Sequence, residues 1–135
     1  MFRLLFSTII GLFAFAGAAV AEVSPMEISG AKTVNVTEAK ALFDAGVLFI
    51  DVRKDSDWEA GRIPDAVQLE LKNVFSQETL AAEVEKDTKF VFYCNGESCM
   101  RSSEASSQAV GWGYTNIHYF RDGFPSWKAA NYPVE

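Results

Sequence analysis

Histidine occurs once in this chain and cysteine only twice. Both cysteines, Cys94 and Cys99, fall within one short stretch. Two cysteines are too few for a disulfide scaffold. His118, the single histidine, with two cysteines in one loop supports neither a Cys–His catalytic pair nor a metal site. No metal and no cofactor is therefore expected, and His118 is expected to be a packed or surface side chain. Basic charge is also scarce: 12 Lys and Arg stand against 18 Asp and Glu, a formal net charge of −6. That balance argues against nucleic acid or an anionic membrane as the main partner. Internal repeats and low-complexity tracts are missing. About half the residues are hydrophobic, enough for one small domain with a real core.

A long apolar run occurs in one place, at the N-terminus. Arg3 supplies a positive charge, residues 4–20 are almost all apolar or small, and Ala19-Val20-Ala21 offers the small-x-small pattern cut by signal peptidases. A membrane anchor is the competing reading. The small residues at the end of the run and the lack of a second charged flank favour a cleaved signal peptide over residues 1–21. No cysteine lies near the cut, so lipoprotein anchoring is not expected. The mature chain would begin at Glu22, would lose Arg3 and so hold 11 basic against 18 acidic residues, and would be periplasmic or secreted with no membrane attachment. An exported cysteine pair meets an oxidising compartment, so Cys94 and Cys99 are candidates for a disulfide.

Residues 22–30 lack periodicity and contain Pro25 and Gly30, and are expected to be a flexible lead-in to a domain over 31–135. Lys32-Thr33-Val34 suggests a short edge strand. Thr37 is the expected N-cap of a helix that places Ala39, Leu42 and Phe43 on one face, with Gly46 as its stop. Val47 to Ile50 is a continuous apolar run, short enough for a strand buried on both faces, and it ends in Asp51-Val52-Arg53. Asp55 to Glu59 predicts one helical turn with Trp58 inward. Val67 to Leu69 suggests a strand, and Gln77 to Glu85 a helix with Leu80, Ala81 and Val84 inward. Phe90 to Tyr93 is a second uniformly apolar strand. Ser102 to Trp112 predicts a helix with Ala105, Ala109, Val110 and Trp112 as buried positions. Ile117 to Phe120 suggests a strand, Asp122-Gly123 a turn, and Pro125 the start of a short helix carrying Trp127, Ala129 and Ala130. Trp58, Trp112 and Trp127 are most simply core residues. Strands alternating with helices predict an α/β fold: a small central, mainly parallel sheet with helices on both faces. Ligands bind such sheets at the carboxyl ends of the strands.

The stretch with the most chemistry lies at such an end. Phe90-Val91-Phe92-Tyr93 runs into Cys94, then into Asn95-Gly96-Glu97-Ser98-Cys99-Met100, then into Arg101-Ser102 at a helix start. Backbone N–H groups converge there and the helix dipole favours negative charge, conditions that turn a thiol into a nucleophilic thiolate. Cys94 is the candidate nucleophile, against an inert buried thiol or half of a structural bridge. Cys99 is a candidate resolving thiol, against an ordinary loop residue. Arg101 is a cation at a helix start, where the dipole disfavours it. That misplacement suggests a role in stabilising the thiolate or holding an anionic donor. Glu97 would repel both, unless it points to solvent. Gly96 allows close backbone approach. Asp51 and Arg53 are expected to be structural, with Arg53 pairing with Asp57 to fix the loop bordering the site.

At this point the chain resembles the rhodanese-homology domain. Asp51-Val52-Arg53 is similar to that family's D-V-R. Gly61-Arg62-Ile63-Pro64-Asp65-Ala66 is similar to its G-H-I-P-G-A, with Arg62 and Asp65 as departures. Cys94, Gly96 and Arg101-Ser102 resemble its catalytic loop, here two residues longer than the common form and carrying Cys99. Asp122-Gly123-Phe124-Pro125-Ser126-Trp127 and Tyr132-Pro133-Val134 resemble its closing motifs. The resemblance spans the mature chain. It implies a three-layer rhodanese-like fold and a sulfurtransferase carrying sulfane sulfur as a persulfide on Cys94. Asn95, Gly96, Glu97, Ser98, Cys99, Met100 and Ser102 would form the substrate-binding loop, with Cys94 and Arg101 catalytic. The expected partners are a small sulfur donor, such as thiosulfate, and a thiol acceptor or cyanide; the expected state is a monomer. Two other readings stay open. One is a redox-sensitive sulfur-carrier or binding module locked by a Cys94–Cys99 disulfide. The other is a cysteine-based phosphatase or arsenate reductase, whose loops resemble this one but hold five residues between Cys and Arg, whereas Asn95 to Met100 is six.

Overall fold

Two uniformly apolar strands form the middle of the sheet. In the computed structural model, which describes Gly17 and residues 22–135, β2 is Leu48–Asp51 and β4 is Phe90–Tyr93. They pair in parallel, with Ile50 opposite Phe92 and Asp51 opposite Tyr93. All four β4 residues are fully buried. Burying a side chain of that size contributes about 1.5–3 kcal/mol, so strands of this composition take the centre and the more polar ones the edges. Three further strands complete the sheet: β1 (Ala31–Thr33), β3 (Val67–Gln68) and β5 (Ile117–Phe120). The order is β1-β5-β4-β2-β3, with every pairing parallel. The expected mainly parallel α/β sheet is thus wholly parallel, with the short polar β1 and β3 at its edges. The expected signal peptide lies outside the described residues, Gly17 apart. No helix among the described residues is long and apolar enough to cross a membrane.

Among the described residues there are five helices: α1 (Val36–Asp44), α2 (Asp55–Ala60), α3 (Gln77–Glu83), α4 (Arg101–Gly111) and α5 (Gly123–Ala129). Period-two alternation along β4 divides the core between them. Phe90, Phe92 and Cys94 join Leu80 and Val84 of the α3 region and Ala105 and Ala109 of α4. Val91 and Tyr93 join Ala39 of α1 and Trp127 of α5 on the opposite face. Cys94 therefore continues the alternation of its strand and turns toward α4.

Local details correct several expectations. Asn35, not Thr37, caps α1: its Oδ1 accepts from the Glu38 amide at 2.8 Å, and Glu38 Oε1 accepts from the Asn35 amide at 3.2 Å. This reciprocal capping box starts the helix before Thr37, which is exposed. Ala81 is exposed, because α3 is short and buries Leu80 alone, with Val84 following as its C-cap. Val110 and Trp112 are only half-buried. The inner face of α4 takes Ser102, Ser103 and Ser106 as well as Ala105 and Ala109. Two of these serines are satisfied, Ser106 Oγ donating to the Ser102 carbonyl at 2.7 Å and Ser103 Oγ to that of Met100 at 2.8 Å, whereas the buried Ser102 Oγ has no partner among the described residues. Trp58 is half-buried under the Arg62 guanidinium, 4.5 Å above its ring, rather than in the core. The α5 helix starts at Gly123, ahead of Pro125, which takes an early helical position where its missing N–H costs nothing.

The expected flexible lead-in is tied to the domain. Ser24 is buried, its amide donates to the Glu97 carbonyl at 2.6 Å, and its own carbonyl accepts from Arg121 Nη2 at 2.9 Å. Tyr119 Oη donates to the Pro25 carbonyl at 2.9 Å and Thr33 Oγ1 to that of Met26 at 2.7 Å. The binding is through backbone groups, which explains why the side-chain pattern of this stretch carried no sign of it.

Candidate active site

The β2–β4 register brings together the two segments that leave the carboxyl edge of the sheet. Asp51 lies opposite Tyr93, so Val52-Arg53 and Cys94-Asn95 emerge side by side. The Val52 amide still donates to the Tyr93 carbonyl at 3.3 Å. Asp51 and Arg53 form a buried pair: Arg53 Nε donates to both carboxylate oxygens at 3.0 Å, and Nη2 donates to Oδ2 at 2.7 Å. Arg53 also donates to the Gly61 carbonyl at 2.7 Å and to Asn95 Oδ1 at 3.2 Å. Asn95 Nδ2 in turn donates to Asp57 at 2.9 Å. The expected Arg53–Asp57 pair is thus not direct; Asn95 stands between them, because Arg53 spends its donors on Asp51 and Gly61 first. Burial would lower the Arg53 pKa, but the hydrogen bonds and charge of Asp51 outweigh it and the net shift is upward. Tyr93, between these groups and the core, has its phenol pushed far up by burial first and by the Asp51 charge second. Its Oη accepts from the Ile63 amide at 3.2 Å.

Cys94 is buried, and its sulfur is bonded to that of Cys99 across a Cα–Cα distance of 6.3 Å. Both cysteines of the chain are in this disulfide. The backbone curls between them in a turn closed by the Cys99 amide donating to the Gly96 carbonyl at 3.0 Å. Gly96 sits at φ +102°, a left-handed conformation that an L side chain rarely adopts. Gly123 is the second glycine the loop requires. At φ +63° it passes so close that an added Cβ would fall 2.3 Å from the Cys94 carbonyl oxygen. The neighbouring Phe124 amide donates to that oxygen at 2.9 Å. The turn after β5 is therefore a buttress for the Cys94 backbone, a role its Asp-Gly sequence alone did not reveal.

Arg101 is placed differently from the expectation of a free anion-binding cation. Its Nη1 donates to Glu70 Oε1 and to the Val52 carbonyl at 3.2 Å. The Glu70 carboxyl is held down to about 2 from its ordinary 4.5; the Arg101 bond is the largest cause, and the amides of Lys72 and Asn73 add to it against the cost of burial. Arg101 thus ties the loop's far end to Val52, just after β2, and to the segment after β3, with its charge matched by Glu70. Glu97 is exposed and lies 3.6 Å from Arg121 Nη1. Ser98 is exposed, Met100 is half-buried as the residue before α4, and Ser102 is buried in its first turn. Sequence reasoning missed Asp57 as an Asn95 partner, Glu70, Arg121, Gly123 and Ser24. All five come from distant segments, and only the glycine in a D-G turn left any local signal.

A cleft of about 230 Å³ opens on the Asn95 side of the loop, lined by Arg53, Asp57, Asn95, Phe124 and Lys128 among others. Its lining includes neither cysteine. His118, on β5, is buried, and burial first pushes its pKa down; the Asn116 carbonyl opposes this shift, and the charges of Lys89 and Lys32 add to it. It lies away from the loop. Among the described residues, no cluster of three or more His, Cys, Asp or Glu side chains could hold a metal ion.

The family model described as "Rhodanese-like domain" matches residues 35–130. The chain belongs to the rhodanese-like domain family. A thiosulfate sulfurtransferase, GlpE, of Pseudomonas savastanoi pv. phaseolicola is 30% identical over 105 residues, covering 77% of this chain and 92% of that protein. A protein named sulfurtransferase from Allochromatium vinosum is 31% identical over 65% of this chain and 78% of its own length. Among solved structures, the BH2092 protein of Bacillus halodurans superposes with a TM-score of 0.69 at 19% identity, covering 78% of this chain and 77% of that one. At that identity it bears on the fold alone. The five-stranded parallel sheet is the rhodanese-like architecture, and the motifs around Asp51, Cys94 and Gly123 that carried the resemblance all meet at one end of it.

Proposed function

We propose that this rhodanese-like chain is a sulfurtransferase that moves sulfane sulfur from a donor such as thiosulfate to a thiol or cyanide, through a persulfide on Cys94. The observation that carries this reading is the position of Cys94: the buried end of the central strand, with its carbonyl clamped by Phe124 and Gly123 and a six-residue loop curled beside its sulfur. The sulfurtransferase names of the relatives support it. With the disulfide reduced, Cys94 thiolate attacks the outer sulfur of thiosulfate. The donor's S–S bond breaks, sulfite leaves with the bonding pair, and Cys94 holds the persulfide. An acceptor thiolate or cyanide then attacks the outer sulfur and Cys94 departs as thiolate. Loop amides would stabilise the charge at both stages. Arg101, paired with Glu70, acts chiefly by fixing the loop's end.

The disulfide favours a second reading, a redox-locked sulfur carrier that functions only after reduction. Nothing in the site favours a phosphatase, since a phosphate dianion would have to draw Arg101 away from Glu70. We further infer export of the chain from its N-terminal run, action as a monomer on small donors and thiols, and no role for nucleic acid. The deciding experiment is thiocyanate formation from thiosulfate and cyanide by reduced protein. Wild type is expected to turn over, and Cys94→Ser to show none, because a serine hydroxyl is scarcely ionised and cannot hold sulfane sulfur. Equal activity in the two proteins would discard Cys94 as the carrier.

A further inference from the structure

The approach of Cys99 to Cys94 does not depend on the disulfide alone. The loop is also held by the Cys99 amide on the Gly96 carbonyl, by Phe124 on the Cys94 carbonyl and by Ser24 on the Glu97 carbonyl. Asn95 is fixed between Arg53 and Asp57, and Ser103 Oγ holds the Met100 carbonyl. These bonds come from five different segments and none involves sulfur. None of these bonds is broken by reducing the disulfide, which spans a Cα–Cα distance of 6.3 Å, so they favour a Cys99 thiol that remains near Cys94. A nucleophile held in place has an effective concentration far above that of any free thiol. A persulfide on Cys94 would meet Cys99 before an outside acceptor.

Resting on the persulfide reading above, we propose a further activity: this chain releases the transferred sulfur as hydrosulfide, with Cys99 as the internal resolving thiol and an external dithiol as the reductant. The thiol of Cys99 attacks Cys94 Sγ, the inner sulfur of the persulfide. The bond from Cys94 to the outer sulfur breaks, and that sulfur leaves as hydrosulfide with the proton from Cys99. The Cys94–Cys99 disulfide forms in the same step. The sulfane sulfur gains two electrons, and the two cysteines together lose them.

Exposure then directs the return step. Cys94 is 1% exposed, whereas Cys99 is partly exposed. Thiol–disulfide exchange proceeds at the sulfur an incoming thiolate can reach. The dithiol therefore attacks Cys99 Sγ, Cys94 leaves as the thiolate needed for the next cycle, and the dithiol's second thiol frees Cys99. The net reaction turns thiosulfate and a dithiol into sulfite, hydrogen sulfide and the dithiol's disulfide. The supply of dithiol must come from a thiol–disulfide oxidoreductase or a small dithiol, the class of reactant this product state demands.

The test is a single turnover. Protein is reduced, freed of reductant without air, and mixed with thiosulfate; sulfite, sulfide and remaining thiols are counted. Wild type is expected to give one sulfite and one sulfide per chain and to lose both thiols. Cys99→Ser is expected to give sulfite, no sulfide, and a loop peptide heavier by one sulfur. Sulfite with a persistent persulfide in wild type would overturn the resolving step while leaving the sulfurtransferase reading intact. The absence of sulfite from wild type would sink that reading itself. A second arm treats the oxidised protein with a monothiol and fragments the loop peptide. The mixed disulfide is expected on Cys99, and finding it on Cys94 would overturn the assigned direction of reduction.

Discussion

The Cys94–Arg101 loop is held at its two ends by similar side chains used to different degree. At the entry end, Asp51 and Arg53 are 0% and 3% exposed and interlock with Gly61, Asn95 and Asp57. At the exit end, Arg101 and Glu70 form a pair that is 20% and 7% exposed, and within the loop the Arg121–Glu97 pair has a carboxylate that is 67% exposed. Removing one member of a buried pair leaves an uncompensated charge, whereas an exposed pair is worth little. The nucleophile's end is thus rigidly set in the interior, and the Cys99 end, held by hydrogen bonds of its own, is more open to solvent. That division suits a site where one sulfur must be placed and the other must be reached from outside.

The largest expected effect comes from breaking the rigid end. Arg53→Met leaves Asp51 buried without a partner and should cost about 3–5 kcal/mol, read as a lower urea midpoint. A loss comparable to that of a surface pair would show the two ends to be equivalent. Gly123→Ala attacks the buttress behind the Cys94 backbone. Its φ of +63° and the approach to the Cys94 carbonyl predict a loss of about 1–3 kcal/mol, together with slower sulfur transfer as the loop is pushed aside. An active variant of unchanged stability would show that the buttress does not position Cys94.

A smaller effect belongs to the exit pair and can be separated by pH. The folded state holds the Glu70 carboxyl at about 2 against an ordinary 4.5. The unfolded chain therefore takes up its proton first as pH falls. The pair's contribution is complete above about 4.5 and is lost as pH drops toward 2. Glu70→Gln should lower stability at neutral pH by about 1–3 kcal/mol and flatten the stability-against-pH slope across that window relative to wild type. Parallel slopes in the two proteins would mean that Glu70 is not the group responsible. The smallest effect is expected from Arg121→Ala. It removes an exposed pair worth at most about 1 kcal/mol but also the donors to the Ser24 carbonyl. Global stability should barely change while the Ser24 amide exchanges faster with solvent. Unaltered exchange there would show that Arg121 does not anchor the lead-in.

Much was determined by the sequence itself. The uniformly apolar runs at Val47–Ile50 and Phe90–Tyr93 marked strands buried on both faces, and their alternation with helical stretches was enough for a parallel α/β sheet. Cys94 could be placed at a strand's carboxyl end because strand, glycine-containing loop and helix start follow one another within a few residues. These are local signals, written in spacing and residue type. Tertiary structure alone decided the partners. Arg53 was expected to meet Asp57 and Arg101 an anion, yet one meets an interlocked Asp51 and Asn95 and the other Glu70, because the β2–β4 register brings separate segments to one edge. The N-cap moved to Asn35 because Glu38 reached back to it. The lead-in is docked through carbonyls and amides, which every residue carries and no pattern distinguishes. Whether Cys99 was a bystander or a neighbour of Cys94 depended on turns anchored by Ser24, Gly123 and Phe124, residues far away in the chain. A hydrogen bond across such a distance follows from the packed fold, since only packing fixes which backbone groups come within its reach.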